Sequence, residues 1–169
     1  MIENREKHLK HNLKQVFGYD TFRSGQLEVI DHLLNGHDVV SIMPTGAGKS
    51  LCFQLPALLH NFQTIIVSPL VALMNDQTAA LKGVGVDVEL IHSGRSYQDN
   101  ATAWRSFSSG GAKMLYLSPE RLMQERMLAA LQAQKIGMFV IDEANCISKW
   151  GAGFRPEYEA LSRLNDRFP

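Results

Sequence analysis

Cysteine is scarce in this chain: Cys52 and Cys146 are the only two among 169 residues. Two thiols cannot complete a tetrahedral zinc site by themselves, and nothing suggests the disulfide framework that staples small secreted domains. Both lie in apolar surroundings just after loops, which suits packed free thiols. An excess of charge is missing as well. The 17 Lys plus Arg residues balance 17 Asp plus Glu, so no global field advertises a polyanion and any nucleic-acid contact has to be local. No apolar run reaches the roughly 18 residues that span a bilayer. The opening "MIENREKHLKHNLK" is too polar for a signal peptide. A cytoplasmic protein with no membrane partner is the expectation. Low-complexity stretches, long linkers and fixed-period repeats are absent too, which argues for one domain.

What is present is the composition of a globular protein, 45% hydrophobic and 20% charged. A chain of this length buries roughly two-thirds of its unfolded surface. The spacing of Leu9, Leu13, Val16 and Phe17 predicts a first helix that stops at Gly18. A second helix is predicted after Ser24, with Leu27, Ile30, Leu33 and Leu34 inward and Asn35-Gly36 as its end. Short runs rich in Val, Ile and Leu then alternate with helical stretches: "DVVSIM" (38–43), "TIIVS" (64–68), "VELIHS" (88–93), "KMLYLS" (113–118) and "MFVID" (138–142). Runs without polar alternation read as strands buried on both faces. Two of them end alike, in "SPL" (68–70) and "SPE" (118–120), where serine suits an N-cap and proline a first helical turn. The alternation predicts an α/β fold: a mostly parallel sheet flanked by helices, joined by right-handed crossovers. Such folds place ligands at the carboxyl ends of their strands.

Chemistry-bearing residues fall at those ends. "MPTGAGKS" runs from Met43 to Ser50, between a predicted strand and a predicted helix. Glycines there let backbone N–H groups turn toward phosphate oxygens at a helix N-terminus. Thr45, Gly46, Ala47 and Gly48 form the turn, Lys49 would reach the β and γ phosphates, and the Ser50 hydroxyl would ligate Mg²⁺. The strict phosphate-loop pattern wants glycine where Met43 stands, so an ordinary Gly-rich turn with an exposed lysine is the competing reading. Asp142 and Glu143 end the run "MFVID". In a phosphate-loop fold such an aspartate holds Mg²⁺ through water and the next carboxylate polarises the attacking water; the bland alternative is a solvated pair capping the next helix. Trp150, Phe154 and Arg155 follow in a stretch with Gly151 and Gly153. Aromatic faces stack on unpaired bases and arginine adds phosphate contacts, although the two rings would serve equally well as core. In "FGYDTFRSGQ" (17–26), Tyr19, Arg23 and the Gln26 amide can clamp adenine; alternatively Tyr19 packs and Arg23 pairs with Asp20.

Taken in order, these motifs resemble the first motor domain of a RecQ-family DNA helicase of helicase superfamily 2, over about Leu13 to Pro169. "FGYDTFRSGQ" resembles that family's adenine motif, which puts Tyr19, Arg23 and Gln26 at the base. "MPTGAGKSLCFQLPAL" is similar to its phosphate loop, where methionine at the first position is usual. "SPLVALMNDQ" (68–77) and "YLSPERL" (116–122) are similar to segments that touch the DNA strand, and "DEANCISKWGAGFRPEY" to the acid box and its aromatic-rich loop. The resemblance implies a RecA-like ATP-binding domain over 1–169, using ATP and Mg²⁺. Lys49, Asp142 and Glu143 would be catalytic, with Trp150, Phe154 and Arg155 on single-stranded or branched DNA. The implied activity is 3′-to-5′ unwinding in DNA repair and recombination.

The departures are specific. Asn145 stands where the family's acid box has histidine, and Ala152 and Gly153 stand where its aromatic loop has His-Asp. By the same resemblance, a further strand of the family's sheet, a second motor domain and its arginine finger would follow, so the chain is expected to bind nucleotide with little turnover alone. The alternative expectation is a degenerate, non-enzymatic remnant that binds nucleotide or single-stranded DNA. A small-molecule phosphate-loop kinase would need a lid and an acceptor pocket that the sequence does not offer.

Overall fold

The protein is described here by a computed structural model that covers residues 2–144 and 160–168. The chain divides into two compact units, Met1–Asn61 with Val84–Val86, and Phe62–Gly83 with Asp87–Pro169.

The first unit is helical. α1 (Ile2–Asn12) runs into one π-turn, Leu13–Phe17, and stops at Gly18 in the left-handed region, φ 75°, which glycine enters without a Cβ clash. α2 (Gln26–Leu34) starts after Gly25, also left-handed, and ends at Asn35 and Gly36. α3 (Lys49–Leu59) packs against α2. Leu9, Leu13, Ile30, Leu51 and Leu55 form the buried core, with Phe17, Phe22, Leu27 and Leu34 around it. Leu9, Leu13 and Phe17 of the first predicted face and Leu27, Ile30 and Leu34 of the second are in or around this core; Val16 and Leu33 are only partly buried and lie outside it.

The second unit is a four-stranded, all-parallel sheet in the order β2-β3-β1-β4: β1 (Gln63–Val67), β2 (Val88–Ile91), β3 (Met114–Leu117) and β4 (Ile136–Ile141). One face carries α5 (Tyr97–Ser108), α6 (Pro119–Leu122), α7 (Glu125–Gln132) and the terminal α8 (Leu164–Arg167), whose apolar side chains meet Ile65, Val67, Leu115 and Leu117. α4 (Val71–Gly83) serves the other face and reaches β3 through Gln77 and Tyr116. Ile65, Ile66, Leu115 and Tyr116 are fully buried, as strands covered on both faces require. No helix among the described residues is long and apolar enough to cross a membrane.

Two expectations need correction. The run 38–43 is not a strand: it has no strand partner among the described residues, and Val40 and Ile42 are 93% and 96% exposed. Apolar content alone does not make a strand, because its N–H and C=O groups need a neighbouring ladder. β4 was expected to be buried on both faces; among the described residues it pairs with β1 alone, at the edge of the sheet, and it is only half-buried.

Candidate functional site

In the first unit the glycine-rich turn is held from outside. Gly46 and Gly48 both have φ 80°, and the Ala47 N–H donates to the Pro44 carbonyl at 3.1 Å. The Arg23 guanidinium donates to the Gly46 carbonyl. Gln26, only 2% exposed, donates through Nε2 to the carbonyls of Ala47 (3.1 Å) and Gly48 (3.0 Å), while its Oε1 accepts the Arg23 N–H at 2.8 Å. Three successive carbonyls are thereby drawn to one side. In a planar trans peptide the N–H points away from its own carbonyl, so the N–H groups of Gly48 and Lys49 face away from Gln26. Gly48 has a second reason to be glycine: a Cβ there would come within 2.6 Å of Gln26 Nε2.

Lys49 and Ser50 occupy the first turn of α3, whose N-cap, Gly48, offers no side-chain cap. An uncapped N-terminus preceded by inward-turned N–H groups suits a phosphate on donor chemistry alone. Cys52, one turn on, is buried; its thiol lies 3.9 Å from Met43 Sδ, and burial pushes its pKa up to about 11. It is a packed thiol, as expected.

Arg23 and Gln26 have therefore been found in work that the motif reading missed, bracing the turn. Tyr19 is 56% exposed. Asp20 pairs with Lys14 at 2.7 Å and not with Arg23.

In the second unit the strands end level. Register pairs Ile91 with Leu117, Leu117 with Val67 and Val67 with Ile141, so the next residues, His92, Ser118, Ser68 and Asp142, form one polar row along the carboxyl edge. The Asp142 N–H still donates to the Val67 carbonyl at 2.9 Å. Its Oδ1 accepts the Glu143 N–H at 2.9 Å, and its Oδ2 lies 3.5 Å from Gln77 Nε2. Tyr116 Oη in turn donates to Gln77 Oε1 at 2.9 Å. Glu143 has φ 54°, the one described non-glycine residue in the left-handed region, at a cost of roughly 1–2 kcal/mol. Strain of this kind gathers at functional sites. Among the described residues no three His, Cys, Asp or Glu side chains gather as a metal site. A cation at Asp142 would thus need oxygen donors besides carboxylates, which is how Mg²⁺ is usually bound.

Beside this row, Leu70 (47%) and Val71 (36%) are exposed just after Ser68. Trp150, Phe154 and Arg155 lie outside the described residues, as do Asn145, Ala152 and Gly153. Gln77 and Tyr116 were not singled out in the sequence, although each falls inside a quoted motif, at the last position of "SPLVALMNDQ" and the first of "YLSPERL".

Comparison with known proteins gives this arrangement a family. The DEAD/DEAH box helicase family matches residues 23–169. The chain belongs to that family. It is 43% identical over 157 residues to the ATP-dependent DNA helicase RecQ of Haemophilus influenzae, covering 93% of this chain and 25% of that protein. The RecQ of Pasteurella multocida matches equally, at 43% over 157 residues, 93% and 25%. The chain spans about a quarter of the length of these curated relatives. A crystal structure of a hypothetical ATP-dependent RNA helicase from Sulfolobus tokodaii matches with a TM-score of 0.75 over 95% of this chain and 47% of that one. At 19% identity that likeness speaks for the fold alone. The α/β helicase fold and the family stand on these findings.

Proposed function

We propose that the chain is the ATP-binding part of a RecQ-type helicase, both compact units belonging to one motor domain over 1–169. It would act on single-stranded or branched DNA with 3′-to-5′ polarity, in repair and recombination, together with a second motor domain. The observation that carries the reading is the braced turn at 46–48: positive φ at Gly46 and Gly48, carbonyls tied back to Arg23 and Gln26, and α3 left uncapped.

The residues fit ATP and Mg²⁺. Thr45, Gly46, Ala47 and Gly48 would offer backbone donors to the phosphates, Lys49 a positive charge, and Tyr19, Arg23 and Gln26 a surface for adenine. Adenine reading by Gln26 requires its amide to leave at least one of its present carbonyl partners. Ser50 and Asp142 are each offered as a metal ligand by the family resemblance, and a bound metal would neutralise charge building on the transferring phosphoryl group. Glu143 orients water as general base, and Trp150, Phe154 and Arg155 engage the DNA strand.

The test is titration with a fluorescent ATP analogue. Lys49→Ala removes a charge-assisted contact worth roughly 1.5–3 kcal/mol, so affinity is expected to fall about 10- to 100-fold. Equal affinities in wild type and variant would sink the assignment. The second reading, a non-enzymatic remnant, draws on Asn145, Ala152 and Gly153 and on the 38–43 stretch, which has no strand partner among the described residues. DNA-stimulated hydrolysis on adding a second motor domain in trans would dismiss it.

A further inference from the structure

Gln77 and Tyr116 have no part in the roles assigned above, yet both converge on Asp142. Tyr116 is fully buried on β3, where phenylalanine would pack as well. A buried phenol oxygen needs a partner, and Gln77 Oε1 takes its proton at 2.9 Å. That bond fixes the amide. The two ends of a glutamine amide are nearly equal in shape but opposite in hydrogen-bonding sense. With Oε1 held by Tyr116, the end facing Asp142 Oδ2 at 3.5 Å is the N–H donor. At that length the contact orients more than it binds. The other carboxylate oxygen accepts the Glu143 N–H. Each oxygen of Asp142 thus faces an N–H donor, which sets the plane of the carboxylate.

We propose that the Tyr116–Gln77 pair is a positioning device for the Asp142 carboxylate, presenting it to a divalent cation in one orientation. Gln77 stands on α4, about two turns from the exposed Leu70–Val71 start of that helix, so the carboxylate's orientation is tied to where α4 lies. The inference rests on the metal-holding role proposed for Asp142. Neither Tyr116 nor Gln77 touches the metal; both act through the carboxylate, as outer partners of metal ligands do.

The experiment measures binding of a fluorescent ATP analogue to the full chain over a Mg²⁺ series, with EDTA as the metal-free arm. Asp142→Ala should raise the half-saturating Mg²⁺ concentration most. Tyr116→Phe and Gln77→Leu should raise it about three- to tenfold, at or below the low end for loss of an outer-shell partner, with metal-free affinity unchanged. Mn²⁺ in place of Mg²⁺, followed by electron paramagnetic resonance, should show the same order without reference to turnover. Gln77 is partly exposed, so Gln77→Leu keeps the test intact even if Tyr116→Phe does not fold. If Asp142→Ala shifts the midpoint and the other two leave it in place, the positioning role is overturned while the metal-holding role survives. If Asp142→Ala also leaves it unchanged, or the wild type ignores Mg²⁺, both readings fall. A variant that melts earlier yet keeps the wild-type midpoint shows a structural role only and overturns the proposal.

Discussion

His92 follows β2 and is 5% exposed. Its Nδ1 accepts the Gly94 N–H at 3.1 Å, so in the neutral ring the proton sits on Nε2, which is buried without a partner among the described residues. Burial first, and the Arg95 charge second, lower its pKa from 6.5. Because the folded pKa lies below the unfolded one, acid favours the unfolded chain, which accepts the proton more readily. The stabilisation is therefore present above about pH 6.5 and is lost as pH falls through the folded value, with a slope of at most about 1.4 kcal/mol per pH unit. Wild type should lose more melting temperature than His92→Asn between pH 7.5 and 5; parallel curves would show that His92 does not titrate between states. At this scale legibility tracked closeness in sequence. Lys49, Ser50, Asp142 and Glu143 stood out because each motif is contiguous. His92 and the Tyr116–Gln77 pair did not, since a lone histidine has no pattern and 39 residues separate Gln77 from Tyr116.

Among the elements, the turn ahead of α3 depends on its neighbour α2. Gly48→Ala would force an alanine into φ 80° and drive its Cβ to 2.6 Å from Gln26 Nε2. The backbone strain alone costs roughly 1–2 kcal/mol, and Gln26 must release the carbonyls of Ala47 and Gly48. Gly85→Ala is the matched control, with φ 79° and nothing within 4 Å of its Cβ. Both variants should lose the stability set by the backbone strain, Gly48→Ala more because Gln26 is displaced as well, but only Gly48→Ala should also weaken binding of the ATP analogue, by about tenfold if one to two donors are misdirected. Equal affinity in the two would show that the brace has no bearing on the phosphate site. The helices α1 and α2 were readable down to their stops because Gly18 and Asn35-Gly36 are local signals. The brace was not, because "FGYDTFRSGQ" suggests contacts to a ligand as readily as contacts to a carbonyl. Pro119 takes the first position of α6 as expected, whereas α4 begins only at Val71, two residues after Pro69.

For the whole chain, strand–helix alternation was enough to foretell a parallel sheet, but the order β2-β3-β1-β4 had no signal in the sequence and neither did the fate of 38–43. Apolar runs announce what wants to be buried; which ladder receives them is a property of the assembled backbone. Hydrogen exchange reads that property directly. β1 and β3 are bonded on both sides, and Ile65, Ile66, Val67, Leu115, Tyr116 and Leu117 are fully buried. Their amides should open only with global unfolding, which for a domain costs roughly 5–15 kcal/mol and slows exchange by about 10⁴-fold or more. β2 and β4, each paired on one side, should exchange sooner by local fraying. Residues 38–43, with Val40 and Ile42 almost wholly exposed, should exchange near the rate of an unstructured peptide. The decisive comparison is between peptides covering 38–43 and 64–67 in one experiment. Equal protection of the two would mean that "DVVSIM" is paired as a strand in solution after all, and the phosphate turn would then hang from a sheet instead of from Arg23 and Gln26 alone. Rapid exchange at 38–43 beside slow exchange at 64–67 would leave the turn's placement to those two side chains, and would make Gln26→Ala more damaging to nucleotide binding than any substitution at Val40 or Ile42.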